Sequence, residues 1–109
     1  MAKRNADLQK IILKFKDALS KHIRVEELIL FGSYANGRPG KYSDIDLAVV
    51  SPDFSKNNPI KNLQFLFRLA KKIDVDIEPL AFLPKEIKNP NPRSFESEIV
   101  KKGKVVYKA

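Results

Sequence analysis

Residues 28–50, LILFGSYANGRPGKYSDIDLAVV, constrain the fold of this 109-residue chain more than any other stretch. A short apolar run ends at Gly32-Ser33, a polar glycine- and proline-bearing loop follows, and a second apolar run carries Asp44 and Asp46. The Leu-Ile-Leu-Phe end of the first run is apolar on both faces, which predicts a central strand of a sheet covered on each side. Strand side chains alternate, so Asp44 and Asp46 point the same way. Two carboxylates held that close repel one another and are costly to desolvate unless a cation sits between them. Function explains the pair better than packing does.

The flanking segments supply the cover. Leu8, Ile11, Ile12, Phe15 and Leu19 recur at helical spacing, predicting an amphipathic helix over 5–21 with Asn5 as its cap. Val25 to Phe31 and Asp44 to Val50 read as strands, and Ser33–Asn36 as a short helical turn between them. Asn58 and Pro59 open a second helix to about Lys72, with a stripe of Ile60, Leu63, Phe67 and Ala70. Phe65, Leu66 and Leu69 widen that stripe, either for a neighbouring helix or for a partner. Ile73 to Phe82 reads as a third strand in which Asp74, Asp76 and Glu78 share a face. A helical turn at 85–87, a helix over 93–102 ended by Gly103, and an edge strand over 104–108 complete the chain.

The expectation is therefore one domain over 1–109, an α/β (α+β) fold in the order α-β-turn-β-α-β-α-β, with a small mixed sheet flanked by helices. The composition, 43% apolar and 9% aromatic, excludes a wholly disordered chain. With no cysteine and one histidine, thiolate and multi-histidine metal sites are excluded. No apolar run approaches the roughly 18 residues of a membrane span and no signal-peptide core follows the first charges, so a cytoplasmic location is expected. The net charge of +8 is carried by the two ends, while residues 25–83 hold eight acidic against seven basic side chains. A basic surface suits a polyanion, but no arginine–aromatic interleaving supports RNA binding, and the lysine-rich ends read as a solubilising surface.

Three carboxylates on two strands beside a Gly-Ser turn suit metal-assisted phosphoryl transfer. Mg²⁺ takes oxygen ligands and prefers few carboxylates completed by water and substrate phosphate. A pair of such ions activates an attacking hydroxyl and neutralises a leaving pyrophosphate. Asp44 and Asp46 are spaced to bridge two ions, and a third carboxylate from the facing strand can complete one of them and accept the hydroxyl proton. Gly32 lets a backbone approach a triphosphate, and Ser33 offers an amide, a hydroxyl and a dipole end. Arg38 and Lys41 can reach phosphate oxygens, although a solvated loop would hold them equally well. Tyr34 and Tyr42 read as packing residues.

Phe31, Gly32-Ser33, ten residues and then Asp44-Ile45-Asp46-Leu47 form a pattern that resembles the nucleotidyltransferase superfamily of DNA polymerase β and kanamycin nucleotidyltransferase. The likeness is strongest to the minimal nucleotidyltransferase (MNT) domain proteins of prokaryotes. In that family the third carboxylate lies in a run like VDLVPL, and VDIEPL here puts it at Asp76. The resemblance implies catalytic and metal-binding roles for Asp44, Asp46 and Asp76, and nucleotide contacts from Gly32, Ser33 and Arg38. It implies ATP as substrate, two Mg²⁺ ions, and transfer of AMP to a hydroxyl with release of pyrophosphate. It further implies a helical HEPN-type partner whose toxicity the MNT protein neutralises, in some pairs by adenylylating a tyrosine. Kanamycin-modifying relatives carry an extra helical domain for the acceptor, for which 109 residues leave no room. The alternatives are a non-catalytic MNT-fold module that neutralises its partner by covering it, and an RNA-directed protein using the basic ends; self-association stays open.

Overall fold

The computed structural model describes residues 3–40 and 43–109, so Lys41 and Tyr42 lie outside the described residues. Helix α1 (Asn5–Ser20) leads into β1 (Glu27–Phe31), a 3-10 turn (Gly32–Tyr34) and β2 (Ile45–Val50). Helix α2 (Pro59–Ile73), β3 (Ile77–Phe82), α3 (Pro84–Lys88), α4 (Phe95–Lys102) and β4 (Lys104–Lys108) follow. The sheet order is β3-β2-β1-β4, with β1 antiparallel to both neighbours and β2 parallel to β3. The expected mixed sheet and element order hold, with β1 central and β4 at an edge. Pro79 sits within β3 with no N–H to give, which suits the opposite edge. Among the described residues no helix is long and apolar enough to cross a membrane.

Alternation in the central strands divides the core. Leu28, Leu30, Ile45, Leu47 and Val49 face α1 and α2, joining Phe15, Leu19 and Leu66 in the larger cluster. Ile29, Ala48 and Val50 face the other way and pack with Phe82 and Ile99. Phe65 and Leu69 pack against the larger cluster, and Phe65 meets the His22 ring edge-on with centroids 5.8 Å apart. The widened stripe of α2 therefore serves helix–helix packing rather than a free surface. Ile60, expected in that stripe, stands 67% exposed in the first turn of α2. Asn58 caps α2 as expected, its side chain accepting from the Lys61 amide at 3.1 Å.

Several boundaries shift for identifiable reasons. Helix α1 starts with Arg4 in the capping position and Asn5 already helical, because the Leu8 amide donates to the Arg4 carbonyl. Ser94 caps α4 by accepting from the Ser97 amide, so that helix begins two residues later than Arg93. Gly103 follows α4 with φ −77°, an ordinary backbone. Its value is proximity: a Cβ there would lie 2.6 Å from Ile29 Cγ2 and 3.2 Å from the Leu30 carbonyl. The largest change is at β3. Helix α2 persists through Ile73, and the Asp74 side chain accepts from the Asp76 amide at 2.8 Å to make a turn. Lys71 Nζ donates to the carbonyls of Val75 and Ile77, holding that turn against the end of α2. The strand therefore starts at Ile77, Val75 stands 73% exposed, and Asp74, Asp76 and Glu78 do not share one strand face.

Candidate active site

The antiparallel register of β1 and β2 sets Phe31 opposite Asp46, which brings the next residue, Gly32, against the Asp46 side chain. Gly32 has φ +72°, in the left-handed region that side chains disfavour. A Cβ at Gly32 would collide with Asp46 Oδ2 and lie 3.1 Å from Asp46 Cγ. The glycine is thus required twice, by its backbone and by the carboxylate that fills the space of its missing side chain. The turn closes on itself: the Gly32 carbonyl accepts from the Ala35 and Asn36 amides, and the Ser33 carbonyl accepts from the Arg38 amide at 3.1 Å. Gly37, at φ +71°, lets the chain reverse there. Arg38 is consequently anchored to the turn by its backbone while its residue stays exposed. Tyr34 is buried in the core, as a packing residue should be.

The second register sets the starts of β2 and β3 side by side. Ile45 pairs with Ile77 and Asp46 with Glu78 on the parallel strands, and the Ile45 amide donates to the Asp76 carbonyl at 2.7 Å. Asp44 and Asp76 thus both immediately precede the paired strand residues, at one end of the sheet beside the Gly32–Tyr34 turn. Asp44 is exposed and Asp46 half-buried. Burial, followed by the charges of Asp44 and Glu78, raises the Asp46 carboxyl above its ordinary pKa. Asp76 accepts from Lys3 Nζ at 2.5 Å, and Asp74 lies 3.8 Å from the same ammonium. That hydrogen bond to Asp76 is the leading reason why the Lys3 pKa is raised.

A hard cation fits this donor set. The acids of Asp44, Asp46 and Asp76 are oxygen donors, and Asp46 carries like-charge repulsion that a cation would relieve. Among the described residues no three carboxylates lie close enough together to hold one metal ion, so Asp44, Asp46 and Asp76 do not form a single ligand group in this arrangement. Water and substrate phosphate would complete the coordination, as Mg²⁺ prefers. A cavity of about 910 Å³ lies elsewhere, between α2 and β3, lined by Phe54, Leu63, Leu80 and Leu83 among others. Its lining contains none of the six expected site residues.

The sequence pointed to the turn, the carboxylate pair and Glu78 among the β3 acids, but it did not point to Lys3. Glu78 bears on Asp46 through the parallel register, which no local pattern encodes. Lys3 comes from the far end of the chain, and nothing in its own neighbourhood marks it.

Comparison with known proteins bears on the fold and the family. A candidate protein adenylyltransferase of Methanocaldococcus jannaschii is 32% identical over 87 residues, covering 73% of this chain and 52% of that protein. A second candidate protein adenylyltransferase of the same organism is 38% identical over 53 residues, covering 49% of this chain and 50% of the relative. The chain spans about half the length of these curated relatives. Among solved structures, a candidate nucleotidyltransferase from Sulfolobus solfataricus superposes with a TM-score of 0.61 at 21% identity, covering 99% of this chain and 92% of the other. The MNT antitoxin complex with a tri-AMPylated Shewanella oneidensis HEPN toxin gives 0.55 at 21% identity, covering 97% and 74%. Those structural likenesses speak to the fold. The nucleotidyltransferase domain family matches residues 11–106, nearly the whole chain, and the protein belongs to that family.

Proposed function

We propose that this domain transfers AMP from ATP to a hydroxyl of a partner protein, with Gly32, Ser33 and Arg38 receiving the triphosphate and Asp44, Asp46 and Asp76 holding Mg²⁺. The single observation that carries the reading is the space Gly32 leaves for the Asp46 carboxylate, which ties the phosphate-binding turn to the acids. In the reaction the acceptor oxygen forms a bond to the α-phosphorus while the bond from that phosphorus to the bridging oxygen breaks. Pyrophosphate leaves with the electron pair, and the hydroxyl proton passes to a carboxylate, for which Asp76 is assigned. Bound Mg²⁺ supplies charge neutralisation at the phosphates. In this reading the turn orients the triphosphate and Asp76 receives the proton, supported by the register that starts β2 and β3 side by side just after Asp44 and Asp76.

The acceptor is assigned to a helical HEPN-type protein, supported by a structural neighbour described as an MNT antitoxin bound to an AMPylated HEPN toxin. The test is incubation of ATP labelled in its α-phosphate with Mg²⁺ and such a helical partner, comparing wild type with the Asp44→Ala/Asp46→Ala double variant. Labelling of the partner by wild type alone is expected. Absence of metal-dependent labelling, with the double variant still neutralising the partner, would replace catalysis by simple covering.

A further inference from the structure

Lys3 lies 73 positions from Asp76 in sequence, yet its ammonium sits on that carboxylate at 2.5 Å and within 3.8 Å of Asp74. The backbone amide of Lys3 donates to the Tyr34 hydroxyl at 3.1 Å. One residue therefore spans the two halves of the site, the turn after Gly32-Ser33 and the third acid. Glu78 has its own partner, Lys71, at 3.2 Å. Lys3 is thus specific to the Asp74–Asp76 end of the acidic row.

We propose that Lys3 is the resident counter-cation of the third carboxylate, which an incoming divalent metal must displace from Asp76. This rests on the donor-site reading above. An ammonium hydrogen-bonded to a carboxylate oxygen occupies the lone pairs that a metal needs, and two cations on one carboxylate repel. The main-chain bond to Tyr34 does not depend on the side chain, so displacement need not undock the segment. The released ammonium stays beside the phosphate-binding turn, where a triphosphate is its natural partner. Lys3 is accordingly a positioning residue, which keeps the acids paired before metal and nucleotide enter.

The test is a titration of the nucleotide-free protein with Mn²⁺, followed by the electron paramagnetic resonance signal of the free ion. Lys3→Met is expected to bind Mn²⁺ roughly three- to five-fold more tightly than wild type, the range of a partly exposed ion pair. Lys3→Arg should stay at the wild-type affinity, and Asp76→Asn should abolish the gain in a double-variant cycle. Lys3→Gln serves as a second neutral variant should Lys3→Met fold poorly. Equal or weaker Mn²⁺ binding by the neutral variants, with wild type binding normally and Asp44→Ala/Asp46→Ala not binding, would overturn the role of Lys3 and leave the donor site standing. No binding by any variant, wild type included, would overturn both.

Discussion

Replacing Gly32 by alanine separates the two demands placed on that residue, because Gly37 provides a built-in control. Both glycines have positive φ, +72° and +71°. A Cβ at Gly37 meets nothing within 4 Å, whereas one at Gly32 runs into Asp46 Oδ2. Gly37→Ala should therefore pay only the backbone penalty, about 1–2 kcal/mol. Gly32→Ala pays the same and must also drive Asp46 off its rotamer, adding about 0.5–1.5 kcal/mol. The sum is about 1.5–3.5 kcal/mol, which for a domain of this size lowers the melting temperature by roughly 6–15 °C. Urea unfolding gives the stabilities, and AMP transfer or Mn²⁺ binding gives the function. Gly37→Ala should retain metal binding, while Gly32→Ala should lose most of it, since the carboxylate that moves is the one at the centre of the site. Equal losses of stability and of binding in the two variants would refute the claim that Gly32 is there for Asp46.

Other expected outcomes follow from the same contacts. Asp46→Asn should stabilise the metal-free protein at pH 7 by a few degrees in a thermal melt while abolishing transfer. The sign is set by the raised pKa of Asp46: the folded state holds this proton more tightly than the unfolded state, so the contribution of the group declines as pH rises from the ordinary carboxylate range through the raised value. That pH-dependent decline should be absent from the asparagine variant. Gly103→Ala should cost about 1–3 kcal/mol in urea unfolding, because its Cβ would overpack Ile29 and the Leu30 carbonyl. Asn58→Ala should cost about 1 kcal/mol by the same measurement through loss of the α2 cap.

The elements that sequence periodicity located well were those whose burial is set by one continuous face. Helix α1 keeps Leu8, Ile12, Phe15 and Leu19 buried, as its spacing requires, and β1 and β2 are apolar on both sides because each lies inside the sheet. The glycine turn and the acid pair were legible, but the Gly32–Asp46 contact required the register that sets Phe31 opposite Asp46. The start of β3 was not legible. Asp74, Val75 and Asp76 alternate as a strand would, but a side-chain turn from Asp74 and three bonds from Lys71 override that local pattern. Lys3 reaches the site through tertiary structure alone, and the pairing of Glu78 with Asp46 depends on strand register, so no window of sequence could have shown either contact. The roles of Asp44, Asp46 and Asp76 in metal binding rest on donor chemistry and proximity.

The central claim is nucleotidyl transfer from this acidic end of the sheet, and the position of the label in ATP tests it most directly. Parallel reactions with α-labelled and γ-labelled ATP, Mg²⁺ and the helical acceptor protein distinguish which phosphorus is attacked. The account predicts that the acceptor gains the α label while the γ label leaves as pyrophosphate, and that both signals vanish in Asp44→Ala/Asp46→Ala. Transfer of the γ label to the acceptor, or α-label transfer undiminished in the double variant, would contradict it.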